Sequence, residues 1–418
     1  MKQTSGPVKQ FPLAEAALKD FQRTPLPNFA DTENTFRHLS TRELKRTAWL
    51  FNLMGKEWLT KLMSGLGVKA VKYRLPLAKW AVKNTIFPQF VGGESLQQSL
   101  PVIEKLATRN VTSILDFGAE AKNTREDFDN FTQQVLDAIN FSARNDAAVA
   151  GVVKVTGLAD DDMLASLNDD VPVIGGDLTP YADLRDTIDR LDAICKLASE
   201  KGVQIYIDAE ESWMQSTIDA LAAEMMERYN KDSVTVLHTY QLYRHDRLQL
   251  MKDSHARARE YGYLLGAKLV RGAYMVKENK RAKAENRPTP IQPSLQATHQ
   301  DYNAAVQYCV ENIKTIGFCV GSHNEESNLL ACKLLAERGL QSNHPHAQFA
   351  QLYGMSDNLT FNLAEAGYNV SKYLVYGPVR EVLPYLVRRA QENTSVTGEM
   401  GRELKLVQTE LARRVALK

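Results

Sequence analysis

Lys154, Asp208, His238, Lys268 and Arg271 stand in or just after short β-rich runs, and Arg388 and Arg389 stand side by side further on. Thr156 follows Lys154, Glu210 and Glu211 follow Asp208, and Gly272 follows Arg271. A lone strand lysine often snorkels to a rim, and a lone histidine is more often hydrogen-bonded structure than machinery. Two lysines in dry strands are harder to place, because a buried cation needs a partner or a ligand. Asp208 supplies one negative charge, so the group keeps an excess of cations and suits an anion.

The stretch "YLVRRAQENTS" reads as a helix. At about 100° per residue, Tyr385, Arg388, Arg389 and Glu392 share one arc, while Leu383, Leu386, Val387 and Ala390 cluster on the other side. Such an arc suits either a solvated stripe or a clamp for a carboxylate or phosphate, for which the planar guanidinium fork is well shaped.

Rigid elements must hold these residues. Eight β-rich runs alternate with helix-length segments from about residue 111: "VTSILDF", "VAGVVKVTG", "VQIYIDAE", "VTVLHTYQ", "LLGAKLVRG", "IGFCVGSHN", "AQFAQLYG" and "NVSKYLVYG". Near-continuous apolar strands need cover on both faces, which predicts parallel α/β architecture. The count fits a closed (β/α)8 barrel of TIM type, whose chemistry sits at the carboxyl ends of its strands. A doubly wound sheet is the alternative, but no GxGxxG follows the first strand. Residues 1–105 read as a helical arm, with a capping box at Ser40 and Glu43, and residues 106–418 as the barrel with a C-terminal helix over its mouth. The charged stretch Met275 to Ser294 suits a solvated loop or a lid.

Composition narrows the function classes. The 418 residues are 44% hydrophobic and 24% charged, ordinary for a globular protein. With 51 basic against 50 acidic residues, no long-range field favours nucleic acid. Cys195, Cys309, Cys319 and Cys332 have no CxxC spacing, and His344 and His346 lack cysteine partners, so a reducing compartment and no metal are expected. No apolar run reaches the roughly 20 residues of a membrane span. The N-terminus lacks secretory or transit character. Cytoplasmic localisation is expected, with peripheral membrane contact left open.

In order along the chain, "VKVT", "IDAEE", "KLVRGAY", "SHN", "QLYGM" and "YGPVREVLPYLVRRAQENTS" resemble the flavin-dependent proline dehydrogenase family. "FADTENTFRH" and "FPQFVGGES" are similar to its monofunctional branch; no second catalytic module or DNA-binding module is expected. The resemblance implies FAD-dependent oxidation of L-proline to Δ1-pyrroline-5-carboxylate, with hydride passing from C5 to flavin N5 and electrons to a quinone. It implies that Lys154, Arg388 and Arg389 bind the substrate carboxylate, that Tyr274, Leu352, Tyr376 and Tyr385 wall the ring, and that Asp208 and Lys268 act at the reacting centre. Asp208, Ala209, His238, Lys268, Val270, Arg271, Gly272, Ala273, Thr298, Ser322, His323 and Glu392 would line the FAD. Lys268 stands where the bacterial branch has an arginine, and His238 where it has a glutamine. A hydroxyproline dehydrogenase of the same family, a Schiff-base aldolase using Lys154 or Lys268, and a non-catalytic binding protein are the alternatives.

Overall fold

The computed structural model describes residues 25–54, 80, 82–118, 124–395 and 399–417, with the side chains of 390–395 and 399–400 excepted. All eight anticipated strands form: β1 Thr112–Phe117, β2 Ala148–Lys154, β3 Gln204–Asp208, β4 Val236–Gln241, β5 Leu265–Val270, β6 Ile316–Gly321, β7 Ala347–Leu352 and β8 Val370–Tyr376. They close into a parallel barrel in sequence order. The described helices are α1 Thr32–Phe36, α2 Thr41–Met54, α3 Phe87–Phe90, α4 Leu96–Ala107, α5 Arg125–Ser142, α6 Asp161–Ser166, α7 Arg185–Lys201, α8 Ser212–Tyr229, α9 Arg247–Glu260, α10 Met275–Ala284, α11 Leu295–Glu311, α12 Glu325–Glu337, α13 Asp357–Glu365, α14 Leu383–Ser395 and α15 Glu399–Ala416.

Local chemistry sets the helix boundaries. Ser95, Thr124, Asp160, Ser294 and Asn324 each accept a backbone N–H of the first turn they precede, satisfying donors that the helix leaves orphaned. Gly202 ends α7 in the left-handed region. Strands β2 to β7 are buried almost throughout, as expected where helices cover a sheet that closes on itself.

The chain divides into two compact units, the first comprising 1–26, 121–350 and 367–369 and the second 27–120, 351–366 and 370–418. In the first, Tyr206 of β3 donates its phenol to Gln348 Oε1 of β7 at 2.5 Å, and Gln348 Nε2 donates to Gln204 Oε1 at 2.7 Å. Strands β3 and β7 are not neighbours, so these side chains meet through the lumen. The interior is therefore partly a hydrogen-bonded amide and phenol column, beside the branched apolar filling usual in such barrels.

In the second unit, β1 and β8 pair in parallel from Thr112↔Ser371 to Phe117↔Tyr376. Gly92 N–H donates to Val375 O, attaching the segment before α4 to β8. The Ser40–Glu43 capping box forms: Ser40 N–H donates to Glu43 Oε2 at 2.7 Å, and Glu43 N–H to Ser40 Oγ at 3.2 Å. The continuation of that sequence beyond Met54 lies outside the described residues. Helix α15 packs on α1 and α2, and its Glu410 accepts from Thr32 of α1 as well as from Arg413 and Arg414. A second buried polar group joins Lys372 to Asp357 at 2.8 Å, while Glu403 of α15 accepts Ser356 N–H at 2.8 Å.

Candidate active site

Strand alternation decides which side chains enter the lumen. Gln204, Tyr206 and Asp208 of β3 share a face, and neighbours at one level of a parallel ladder share it too. The register pairs Lys154 with Asp208, Thr239 with Lys268, Lys268 with Cys319, and Cys319 with Gln348. Lys154, Asp208, Thr239 and Lys268 thus form an inward group towards the carboxyl ends of β2 to β5. Lys268 Nζ donates to Asp208 Oδ1 at 2.5 Å, and Thr239 Oγ1 reaches the same oxygen at 3.5 Å. The ammonium lies 5.7 Å from the centroid of the Tyr206 ring beneath it. Lysine and aspartate side chains are 9% and 15% exposed, so each compensates in part for the water the other has lost.

His238 is the correction. Register pairs it with Ile207 and Ala267, on the opposite face of the ladder from Asp208 and Lys268. Its Nε2 meets Asp219 Oδ1 of α8 at 2.7 Å, and Arg247 of α9 donates to Asp219 Oδ2 at 2.5 Å. The Arg247 guanidinium and the hydrogen bonds from His238 and Gln215 outweigh burial and hold the Asp219 carboxyl well below the usual carboxylate range. His238 therefore fastens the barrel to its helices, and the inward amide of β4 is Gln241, which donates to Glu210 O at 2.7 Å.

The connection from β3 to α8 is held from several sides. Ala209 is buried. Glu211 pairs with Lys277 at 2.5 Å, and Glu278 accepts both Ser212 N–H and Ser212 Oγ–H at 2.6 Å. Glu278 is 2% exposed and places a carboxylate at the positive end of the 18-residue α8. Helix α10, which begins within the stretch expected to be a loop or lid, is thereby fastened over the start of α8.

The exit of β5 forms an anion-suited ledge. Val270 ends the strand and Arg271 is half-buried. Arg271 donates to His299 Nδ1 at 3.0 Å, Ser322 Oγ at 2.8 Å and Ser327 Oγ at 2.9 Å, and stacks 4.3 Å from the Tyr302 ring centroid. Burial, and secondarily Arg271, push the His299 imidazole below its ordinary range, so that it stays neutral beside the cation. Gly272 follows at φ +133°, and a Cβ there would lie 2.4 Å from Tyr243 Cε1, so only glycine fits. Ala273 is exposed, and Tyr274 caps the start of α10 with Lys277 Nζ 5.5 Å from its ring centroid. Thr298 is buried beside His299, and Ser322 and half-buried His323 follow β6. Polar donors, open backbone at 272 and 273 and a preset guanidinium suit a cofactor with anionic oxygens.

In the second unit, Leu352 ends β7 half-buried, and Tyr376 ends β8 at 2% exposure with its ring 5.5 Å from that of Phe117. On α14, Tyr385 is buried and Arg388 and Arg389 are half-buried, with the Arg389 guanidinium 5.4 Å from the Tyr385 ring centroid. This face is not a freely solvated stripe. Glu392 falls on the same helix, its side chain outside the described residues.

Sequence reasoning missed Thr239, Gln241, Glu278, His299 and Ser327. Alternation along β4 carried the signal for the first two. The others act through partners distant in sequence, and no local pattern marks them. A separate surface cavity of about 500 Å³, lined by Asn312, Lys314, Arg338 and others, lies beside the amino end of β6, away from this mouth.

Closed parallel strands with ionic side chains gathered at their carboxyl ends define an α/β barrel of enzyme type. The chain belongs to the proline dehydrogenase family: that family's model, described as "Proline dehydrogenase", matches residues 99–402. It is 31% identical to "Proline dehydrogenase 1, mitochondrial" of Dictyostelium discoideum over 375 residues, 80% of this chain and 66% of that one. It is 32% identical to "Hydroxyproline dehydrogenase" of Xenopus laevis over 372 residues, 81% of this chain and 80% of that one. The chain spans just under two thirds of the Dictyostelium protein. A crystal structure of proline utilization A from Bdellovibrio bacteriovorus, inactivated by N-propargylglycine, matches with a TM-score of 0.67 at 22% identity, covering 88% of this chain and 38% of that one. That likeness supports the barrel fold. Among the described residues no helix is long and apolar enough to cross a membrane.

Proposed function

We propose that this chain is a flavoenzyme that oxidises L-proline to Δ1-pyrroline-5-carboxylate. The observation that carries the reading is the inward group of Lys154, Asp208 and Lys268 at the mouth of a barrel of the proline dehydrogenase family. When bound, FAD would supply the hydride acceptor for C5 of proline, at its N5, with a quinone as the final electron acceptor.

The chain's own residues bind, orient and polarise. Lys154, Arg388 and Arg389 hold the substrate carboxylate through charge-assisted hydrogen bonds. Tyr274, Leu352, Tyr376 and Tyr385 wall the five-membered ring, fixing C5 in one position. Lys268, aimed by its bond to Asp208, would present its ammonium to the flavin, whose reduction it would favour. Arg271, Ser322, Gly272, Ala273, Thr298, His323, Ala209, Val270 and Glu392 would hold the cofactor, the preset Arg271 guanidinium suiting its phosphate oxygens. The protein's place is the cytoplasm, with peripheral membrane contact that gives access to the quinone. The exposed indoles of Trp49 and Trp80 suit a lipid interface.

A second reading, oxidation of hydroxyproline, is favoured by the Xenopus relative. Tyr376 argues for proline, because a rigid phenol against the ring leaves little room for an added hydroxyl. The test is to supply FAD-reconstituted protein with a quinone and either substrate. Product from L-proline at the higher kcat/KM supports the first reading, and the reverse order supports the second.

A further inference from the structure

Glu210 has no place in the reading above, yet each of its polar groups is engaged. Its Oε1 accepts Thr156 N–H at 3.1 Å and its Oε2 accepts Thr156 Oγ–H at 2.7 Å. Its own N–H donates to Gln215 Oε1, and its carbonyl accepts Gln241 Nε2, both at 2.7 Å. The residue is 6% exposed. A buried carboxylate held mainly by one threonine is costly, and burial pushes its pKa up to about 7 against the opposing pull of the Thr156 donors and of Lys154.

The position explains what this expense achieves. Pairing between β2 and β3 ends at Lys154↔Asp208. Two residues beyond, on each strand, stand Thr156 and Glu210, and their paired bonds continue the connection where the ladder stops. Thr156 sits in the one-turn 3-10 helix Val155–Gly157, and Lys154 is the extended residue that caps it. Glu210 is in turn anchored by Gln215, which donates to Asp219 at 2.7 Å, and Asp219 is fixed by Arg247 and His238. A chain of buried bonds thus runs from the helix layer to the turn that aims Lys154.

We infer that Glu210 and Thr156 are positioning residues that set the affinity for the substrate carboxylate by fixing the turn beside Lys154. The inference rests on the proposed role of Lys154. Both residues act on a ground-state contact, so their loss weakens binding more than it slows the saturated reaction.

The experiment is a double-mutant cycle on the FAD-loaded protein with Thr156→Val, Thr156→Ser and Lys154→Met. The Michaelis constant for L-proline is measured together with the dissociation constant of a saturated five-membered-ring carboxylate lacking the amine, by titration calorimetry. Thr156→Val is expected to raise both constants about tenfold, the size of one good hydrogen bond, with flavin content and saturated rate within about twofold. Thr156→Ser restores both. In the Lys154→Met background Thr156→Val adds nothing further, because the two act as a unit. An unchanged dissociation constant in Thr156→Val, or an undiminished effect in the Lys154→Met background, overturns the inference while leaving Lys154 in place. If Lys154→Met alone leaves both constants unchanged, the role of Lys154 itself fails. Glu210→Gln, which can still accept the Thr156 N–H, is expected to bind more tightly than Glu210→Ala; equal binding contradicts the inference.

Discussion

Lys268 Nζ lies 2.5 Å from Asp208 Oδ1 in the barrel mouth, with both side chains largely withdrawn from water. Removing one partner of such a pair strands a buried charge, at a cost of roughly 3–5 kcal/mol, whereas replacing both by apolar groups is often neutral. Lys268→Met is therefore expected to lower the melting temperature clearly, and Lys268→Met with Asp208→Leu to recover most of it. Neither variant regains proline-dependent flavin reduction. Thermal unfolding and flavin reduction on the same samples separate the two roles, and a double variant with restored activity would remove the pair from the chemistry.

Arg389→Met is expected to raise the Michaelis constant for proline while sparing the saturated rate. One charge-assisted hydrogen bond is worth about 1.5–3 kcal/mol, so the rise is on the order of tenfold to a hundredfold. Steady-state kinetics with a binding titration of the ring carboxylate check it.

Tyr376→Ser is expected to lower kcat/KM for proline and to narrow the ratio between proline and 4-hydroxyproline. The phenol is 2% exposed at the end of β8, so a smaller residue opens space and offers a hydroxyl partner. An apolar pocket alone rejects an added hydroxyl only about a hundredfold. Parallel kinetics on both substrates are the check, and an unaltered ratio would take Tyr376 off the substrate wall.

Glu403 gives the pH prediction. Burial first, then Asp357, push its pKa up from 4.5 to about 7, against Arg402, Ser356 N–H and Lys372. Below 4.5 both folded and unfolded states hold its proton. Between 4.5 and about 7 only the folded state does, so its contribution to stability falls as pH rises across that window and levels off above it. Glu403→Gln abolishes that loss, so the melting temperature of variant minus wild type should climb from pH 4.5 to about 7 and then flatten. Taking the difference also cancels His38, whose imidazole burial lowers to about 4 and which tilts stability the other way.

The barrel was legible because its strands are apolar runs of the right length separated by helix-length segments. The Ser40–Glu43 cap was legible because it is local. The failures share a cause. The resemblance places His238 at the cofactor, whereas strand parity turns it outward onto Asp219 and brings Thr239 and Gln241 inward. Glu278 and Ser212 are joined across 66 residues, and Tyr206 and Gln348 across 142, separations at which no spacing rule operates.

On the proposed function, this barrel holds FAD and reduces it with L-proline. Its most direct test is the visible absorption spectrum of the purified protein, reconstituted with FAD and recorded without oxygen before and after L-proline is added. The expected result is a yellow protein whose flavin band bleaches with L-proline, and which releases its flavin intact when the chain is denatured. A preparation that stays colourless after refolding with excess FAD, or a flavin band that L-proline leaves unchanged, would contradict it.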